Sequence, residues 1–341
     1  MDVRLTRPAA GSADTTGEAE ASGAAGYRPL LFSITYGMTG SVGDAEDIVQ
    51  DAFLGLARAR NAGTVIDDPK AYLTTAVTRL GINYLKSARV RRETYVGDWL
   101  PEPVVVPVDG PAERVELADS LTMAFLVLLE ALSPVERAVF MLREVFGYGY
   151  PEIARTVGKS EVNCRQIFVR ARQHVESGRR SGGHHQESPE RQAAGAELAR
   201  QFFEAAAGGD LDALIATLAP DVVFHGDGGG KVPAIAVPVA GRVRVLRFLL
   251  GLRRSPRTNG LHLRPAWVNS RPGAVFYGRD GRPLGVVELE VADGAIQTIR
   301  SVVNPDKLRH LGPVLDRSGS PQALAARRFR QTRPDTAPEG R

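Results

Sequence analysis

The side chains in this sequence with the clearest chemistry are those that recognise a polyanion. Within 161–175, Asn163, Arg165, Gln166, Val169 and Arg170 share one face of a helix, with Lys159 just before them and Arg172 nearby. Asparagine, glutamine and arginine form paired hydrogen bonds with base edges, and the later arginines suit phosphates. Cys164, Phe168, Ala171 and Val175, at i, i+4, i+7 and i+11, make another stripe apolar, which places Cys164 in a core and not in a redox or catalytic site. The preceding segment has to hold this helix in place. Pro151 suits a first helical turn, Ile153, Ala154 and Val157 supply an apolar face, Gly158 allows a tight turn and Ser160 caps the next helix. That is the grammar of a helix-turn-helix. Taken alone, the same hairpin also fits a solvated basic surface.

A second basic segment lies about eighty residues upstream, as two contacts with one polyanion would require. Arg79, Lys86, Arg89, Arg91 and Arg92 come without an intervening acid. Tyr72, Thr74, Thr75, Thr78, Asn83 and Tyr84 join them on the polar side of a stripe formed by Leu73, Val77, Leu80 and Leu85. Rings beside cations suit a splayed single strand, although an amphipathic helix with a charged end has the same pattern. Further upstream, Ala45, Ile48, Ala52 and Phe53 point inward, leaving Glu46, Asp47, Gln50 and Asp51 as an acidic outer face that suits a protein partner better than DNA. The total charge, 43 basic against 39 acidic residues for a net +4, is too small to argue for DNA; only the local clustering does.

These segments need a frame. At 341 residues, with 43% hydrophobic and 24% charged, the chain has length for two or three domains and composition for buried cores. No run approaches the ~18 apolar residues of a membrane span, and no secretory core precedes Tyr27, so a cytoplasmic protein without a membrane partner is expected. The single cysteine excludes an internal disulfide and a multi-cysteine zinc site. Helical periodicity runs over about 27–95 and 117–177, around a stretch containing Pro101, Pro103, Pro107 and Pro111. From Glu190 the pattern changes to helices at 190–207, 211–218 and 243–252 and strands at 222–225, 234–239, 261–268, 274–277, 284–291 and 296–303. Val287, Leu289 and Val291 alternate with Glu288 and Glu290, which predicts one wet face. Together these predict an α+β unit with helices on one curved antiparallel sheet.

Other chemistry in this last unit is weaker. His225 and Asp227 at a strand end would serve as an acid/base pair, yet the glycines beside them make a loop. The glycine run ending in Lys231 is no phosphate loop, because GxxxxGK[ST] needs glycine at His225 and Ser or Thr at Val232. His184 and His185 lack a third ligand, so neither a metal nor a cofactor is expected.

The stretch 44–53, the segment 70–92 and the helix-turn-helix ending in Arg170-Ala171-Arg172 together resemble the sigma-two and sigma-four domains of extracytoplasmic-function (ECF) sigma factors. Asp98-Trp99-Leu100-Pro101-Glu102-Pro103, Asp227-Gly228-Gly229-Gly230-Lys231 and Asn304-Pro305-Asp306-Lys307-Leu308 are similar to the hallmark motifs of the subgroup with a C-terminal SnoaL-like domain. The resemblance covers about 27–316. It implies a multidomain fold: two all-α sigma domains, the second a helix-turn-helix, then an α+β NTF2-like cone. The division that follows is a sigma-two domain at 27–96, a linker at 97–117, a sigma-four domain at 118–180, a linker at 181–189 and a SnoaL-like domain at 190–316. The tails 1–26 and 317–341 have the composition of disordered chain.

The resemblance further implies a dissociable promoter-specificity subunit of bacterial RNA polymerase, not an enzyme. Glu46, Asp47, Gln50 and Asp51 would grip the clamp helices of the polymerase core. Arg79, Asn83, Lys86, Arg89, Arg91 and Arg92 would hold the minus-ten element, with Asn83 standing where relatives usually carry Asp. Lys159, Ser160, Asn163, Arg165, Gln166, Arg170 and Arg172 would read the minus-thirty-five element of promoter DNA. The third domain would then regulate in cis by touching the sigma-two region and the linker through the hallmark residues, with Lys231 and Lys307 facing acids such as Glu102, and its pocket would suit a small-molecule ligand. The alternative is a helix-turn-helix regulator fused to a SnoaL-like cyclase, isomerase or ligand sensor.

Overall fold

The computed structural model describes residues 24–93, 95–108, 121–178, 188–255, 258 and 260–313. Its first unit is the helices α1 (Arg28–Thr39), α2 (Val42–Asn61) and α3 (Pro69–Glu93). Gly40, at φ 66°, ends α1 in the left-handed conformation. One residue later the Ser41 hydroxyl accepts the Asp44 amide at 3.2 Å and starts α2. Leu31, Ile34, Met38, Ile48, Ala52, Leu73 and Val77 build the core between the helices. Glu46, Asp47, Gln50 and Asp51 stay exposed on the far side of α2, where the sequence placed them.

After the short strand β1 (Val105–Pro107) come α4 (Met123–Leu129), α5 (Pro134–Phe140), α6 (Tyr150–Val157) and α7 (Glu161–Gly178). A π-helical turn at Met141–Val145 extends α5, which begins in a capping box between Ser133 and Glu136. Cys164, Ala171 and Val175 are buried as the spacing predicts, with Phe168 partly covered, and Ile167 joins them. These helices share their cores with the first unit: Phe125, Leu126, Leu129, Phe140, Ala171 and Val175 cluster with Tyr36, Val42 and Ala45. Ala138, Val139, Leu142, Ile153, Cys164 and Ile167 pack into the same cluster as the first unit. The buried Arg137 adds a polar bolt: its guanidinium donates to the carbonyls of Met38, Leu129 and Leu126 and to the Glu130 carboxylate.

The third unit holds α8 (Pro189–Gly208), α9 (Leu211–Thr217) and α10 (Arg242–Arg253) against one sheet. Its strands are β2 (Leu218–Asp227), β3 (Val239–Ala240), β4 (His262–Val268), β5 (Arg271–Tyr277), β6 (Pro283–Ala292) and β7 (Ala295–Val302). The spatial order is β1-β4-β5-β6-β7-β2-β3. Two expectations need correction. The sheet is mixed, because β2 lies parallel to β7. The strand expected at 234–239 is reduced to Val239–Ala240, since Pro233 and Pro238 cannot donate to a ladder. The linker, expected to touch the third domain, pairs with it directly: β1 runs antiparallel to β4 and is an edge strand of the third unit's sheet.

The predicted wet face of β6 is also dry. Val287 and Leu289 enter the core with Phe202, Phe203, Phe224 and Ile299, as alternation requires. On the other face Glu288 is 1% exposed, because β7 places Arg300 directly opposite it. The expected tails lie outside the described residues, apart from 24–26, as does most of 181–189.

Candidate nucleic-acid interface and its interdomain clamp

The helix-turn-helix is built as its sequence dictates. Gly158 sits at φ 66°, and the Ser160 hydroxyl accepts the Asn163 amide at 3.2 Å, so α7 starts where Asn163, Arg165 and Gln166 point outward. Lys159, Ser160, Asn163, Arg165, Gln166, Arg170 and Arg172 are all exposed. Arg165, Gln166, Val169 and Arg170 line one shallow groove. The Arg165 guanidinium lies 5.1 Å from the centre of the Tyr150 ring, which braces it against α6. Arg172 turns to Glu176 at 2.8 Å, so any phosphate contact there competes with an internal pair. Val162 is 66% exposed and Val169 53%, on the same face as Gln166. Val162, four residues before Gln166, falls on this face by helical spacing alone. Burial pushes the Cys164 thiol up, in keeping with a packing role.

The second cationic segment is partly occupied. Asn83 and Lys86 are exposed on α3, whereas the side chains of Arg89, Arg91 and Arg92 lie outside the described residues. Arg79 reaches across to α6, donating to the carbonyl of Thr156 at 2.9 Å and of Arg155 at 3.0 Å. Those carbonyls carry the partial negative charge of a helix C-terminus, so a guanidinium is well matched to them. Thr75 meets the Thr156 hydroxyl at 3.3 Å, and Thr74 meets the Tyr148 hydroxyl at 3.2 Å. Thr74 is thus buried in the joint between the helical units, and Thr78 is buried with its hydroxyl donating to the Thr74 carbonyl, so neither is the exposed polar residue the sequence suggested.

The three hallmark motifs converge on Asp227, whose side chain is wholly buried. Its Oδ2 accepts the Leu100 amide at 2.8 Å and the Lys307 ammonium at 2.7 Å, and its Oδ1 accepts the Tyr95 hydroxyl and the Gly229 amide. Lys307 also donates to the Leu100 carbonyl and lies 4.4 Å from the centre of the Trp99 ring. Burial, followed by the Asp227 carboxylate, pushes the Tyr95 hydroxyl far up, so it remains a donor. Glycine is required here: a Cβ at Gly228 would strike the Val232 carbonyl, and one at Gly229, at φ 58°, would strike the Asn304 amide. Leu100 and Leu308 pack with Val268, Val275, Val286 and Val302 on the sheet face away from α8–α10.

The expected pairing of Lys231 or Lys307 with Glu102 is not made. Lys307 takes Asp227, and Lys231 takes Asp306, whose carboxyl it holds below the usual carboxylate range. Glu102 instead caps α2, accepting the Ser41 hydroxyl at 3.0 Å and the Val42 amide at 2.7 Å. Four exposed amides at a helix start make that position attractive for a carboxylate. Trp99 covers the end of α1, where a Cβ on Gly40 would come within 2.6 Å of its ring. His225 does not form a dyad with Asp227; its Nδ1 lies 2.9 Å from Asp98 in the linker.

Two polar groups of this interface escaped the sequence argument. Asn269, in the β4–β5 turn, is 1% exposed and joins every unit: it donates to the Tyr36 hydroxyl and the Leu121 carbonyl and accepts the Val104 amide. Arg300 bridges Glu288 at 3.0 Å and Glu290 at 2.7 Å. Burial raises the Glu288 carboxyl, while against its own burial Glu290 is held low by Arg300.

Known proteins share this arrangement. Residues 24–91 match the Sigma-70 region 2 family, 122–175 the Sigma-70, region 4 family, and 199–300 the SnoaL-like domain family. The ECF RNA polymerase sigma factor SigJ of Mycobacterium tuberculosis is 39% identical over 310 residues, covering 86% of this chain and 94% of that protein. The probable ECF RNA polymerase sigma factor SigI of the same organism is 35% identical over 286 residues, covering 83% and 92%. The crystal structure of SigJ superposes with a TM-score of 0.65 at 37% identity, covering 90% of this chain and 99% of that one.

Proposed function

This chain belongs to the ECF RNA polymerase sigma factors, and we propose that it directs core polymerase to a restricted set of promoters under the control of its own SnoaL-like domain. The exposed face Glu46, Asp47, Gln50 and Asp51 binds the clamp helices of the core. The groove on α7 reads the minus-thirty-five element through Asn163, Arg165 and Gln166, with Lys159, Ser160, Arg170 and Arg172 on flanking phosphates. The basic end of α3, with Asn83 and Lys86, holds the minus-ten element, and capturing an unstacked base offsets a few kcal/mol of unpairing. These steps take place on cytoplasmic polymerase, and no described helix is long and apolar enough to cross a membrane.

Control in cis rests on one observation: the buried Asp227 ties the linker, the glycine loop and the Asn304–Leu308 segment together. While that tie holds, Arg79 stays on the α6 carbonyls and the two DNA-binding units stay joined. A molecule that binds the SnoaL-like domain differently in the tied and released states would shift their balance. The domain acts as a regulator and not as a cyclase or isomerase, because Asp227 is wholly buried and committed to structural bonds and the His225 ring is tied to Asp98 of the linker. In-vitro transcription with sigma-free core on the upstream region of the protein's own gene tests this. Full-length chain, Lys307→Ala and a chain cut at Gly182 are compared. Protein-dependent transcripts whose yield differs among the three are expected; absence of core binding overturns the sigma assignment, and equal yields overturn the control.

A further inference from the structure

Helix α10 of the third unit carries Arg242, Arg244, Arg247 and Arg253, is followed by Arg254, and contains no acid. Its apolar side, Val245 and Leu246 with Phe248 and Leu249, packs into the domain core, which accounts for that side of the helix. Two of the arginines have internal duties: Arg242 donates to the Ala219 carbonyl at 3.4 Å and Arg253 to the Gly208 carbonyl at 3.3 Å. The side chains of Arg244, Arg247 and Arg254 are exposed and have neither a hydrogen bond nor an ion pair among the described residues.

With Gly251 they occupy i, i+3, i+7 and i+10, one face of the helix. A Cβ at Gly251 would meet nothing within 4 Å, so the middle of the stripe is low and open. At the helical rise the stripe is about 15 Å long. Aligned like charges are a small cost to the folded domain, and a polyanion laid along them removes it. Duplex DNA presents about one phosphate charge per 1.7 Å of axis, so the stripe spans about nine charges. A membrane surface would call for a continuous apolar face to insert beside the cations; Val245, Leu246, Phe248 and Leu249 are taken by the core, and the exposed Val243 and Leu252 lie nine residues apart on opposite sides of the stripe.

We propose that Arg244, Arg247 and Arg254 bind the phosphate backbone of double-stranded DNA, as a sequence-independent contact on the SnoaL-like domain separate from the helix-turn-helix. This goes beyond promoter reading and needs neither core polymerase nor a recognised sequence, so it stands or falls apart from the proposed function.

The test is the affinity of the full-length protein for a fluorescent duplex of scrambled sequence, measured over a range of salt. In Arg244→Ala/Arg247→Ala/Arg254→Ala the slope of log affinity against log salt becomes shallower by about 2.7, with at least a tenfold loss at low salt. The corresponding triple Lys variant keeps the parent slope, because a phosphate accepts a point charge. An unchanged slope in the Ala variant, an equal loss in the Lys variant, or a loss confined to phosphatidylserine-containing vesicles each overturns the proposal. Should the triple Ala variant fail to fold, the single Arg→Gln variants are read in the same assay. Each is then expected to reduce the slope by about 0.9, and unchanged slopes in all three overturn the proposal.

Discussion

The Asn269 side chain donates to the Tyr36 hydroxyl at 2.7 Å, across a sequence separation of 233 residues. Burial pushes the Tyr36 hydroxyl well up, which keeps it protonated and able to pass the bond on to the Glu102 carbonyl at 2.7 Å. Helix α1, the linker and the β4–β5 turn are therefore one hydrogen-bonded chain. Removing the amide strands buried partners, at about 1–3 kcal/mol. Asn269 also sits at φ 48°, where a residue with a Cβ other than Asn or Asp adds roughly 1–2 kcal/mol. Asn269→Ala is expected to lower the denaturant midpoint more than Asn269→Gly does. Equal effects would mean that the bonds matter and the backbone does not.

Lys307 and Asp227 form a pair with 9% and 0% side-chain exposure. Deleting one member of such a pair leaves an uncompensated buried charge, at about 3–5 kcal/mol. Lys307→Ala should therefore lower the melting temperature sharply and speed proteolysis between Tyr95 and Val108. Lys231→Ala removes a half-exposed partner of Asp306 and should cost less than about 1 kcal/mol. A Lys231 variant as damaged as the Lys307 variant would contradict this division.

Local structure was legible wherever a residue type forces it. Pro151, Gly158 and Ser160 set the helix-turn-helix, and the period of Cys164, Ala171 and Val175 set its buried stripe. The hallmark motifs were visible as words, but their partners were not. The sequence cannot show that Lys307 meets Asp227 instead of Glu102, since that depends on how two units pack. The same holds for Glu288, whose alternation with Val287 and Leu289 predicts solvent on its side. Only the β6–β7 register, which sets Arg300 opposite it, and the packing on that face make the site dry. Asn269 gave no signal at all, being a turn residue of ordinary type.

The Glu288 carboxyl, raised by burial, makes the stability of the fold depend on pH. A raised folded-state value means the folded protein holds this proton more tightly than the unfolded chain does. Its contribution is complete below the ordinary glutamate range, near pH 4.3, and is lost as pH rises through the raised value. Glu290 and Asp306, both held low, act in the opposite direction: their contributions are present above the ordinary carboxylate range and fade as pH falls. Glu288→Gln cannot ionise. Its denaturant midpoint relative to the parent should move in the variant's favour as pH rises from mildly acid to neutral. Parallel curves would remove Glu288 as a source of the pH dependence.

Val162 and Val169 are large apolar side chains left exposed to solvent, and both stand on the α7 face that carries Gln166. The interval of seven residues brings them to the same side, flanking the glutamine. Apolar contact in the major groove is the means of recognising a thymine methyl group. Burying one methyl-sized group is worth about 0.8 kcal/mol, roughly fourfold in affinity. Holoenzyme should therefore bind a selected minus-thirty-five element about fourfold more weakly when the contacted thymine is replaced by deoxyuridine. In Val162→Ala or Val169→Ala that sensitivity should shrink at one position and persist at the other. Selective binding without deoxyuridine sensitivity at any position would leave base reading to Asn163, Arg165 and Gln166 alone; no selected sequence at all would count against base reading by α7 itself.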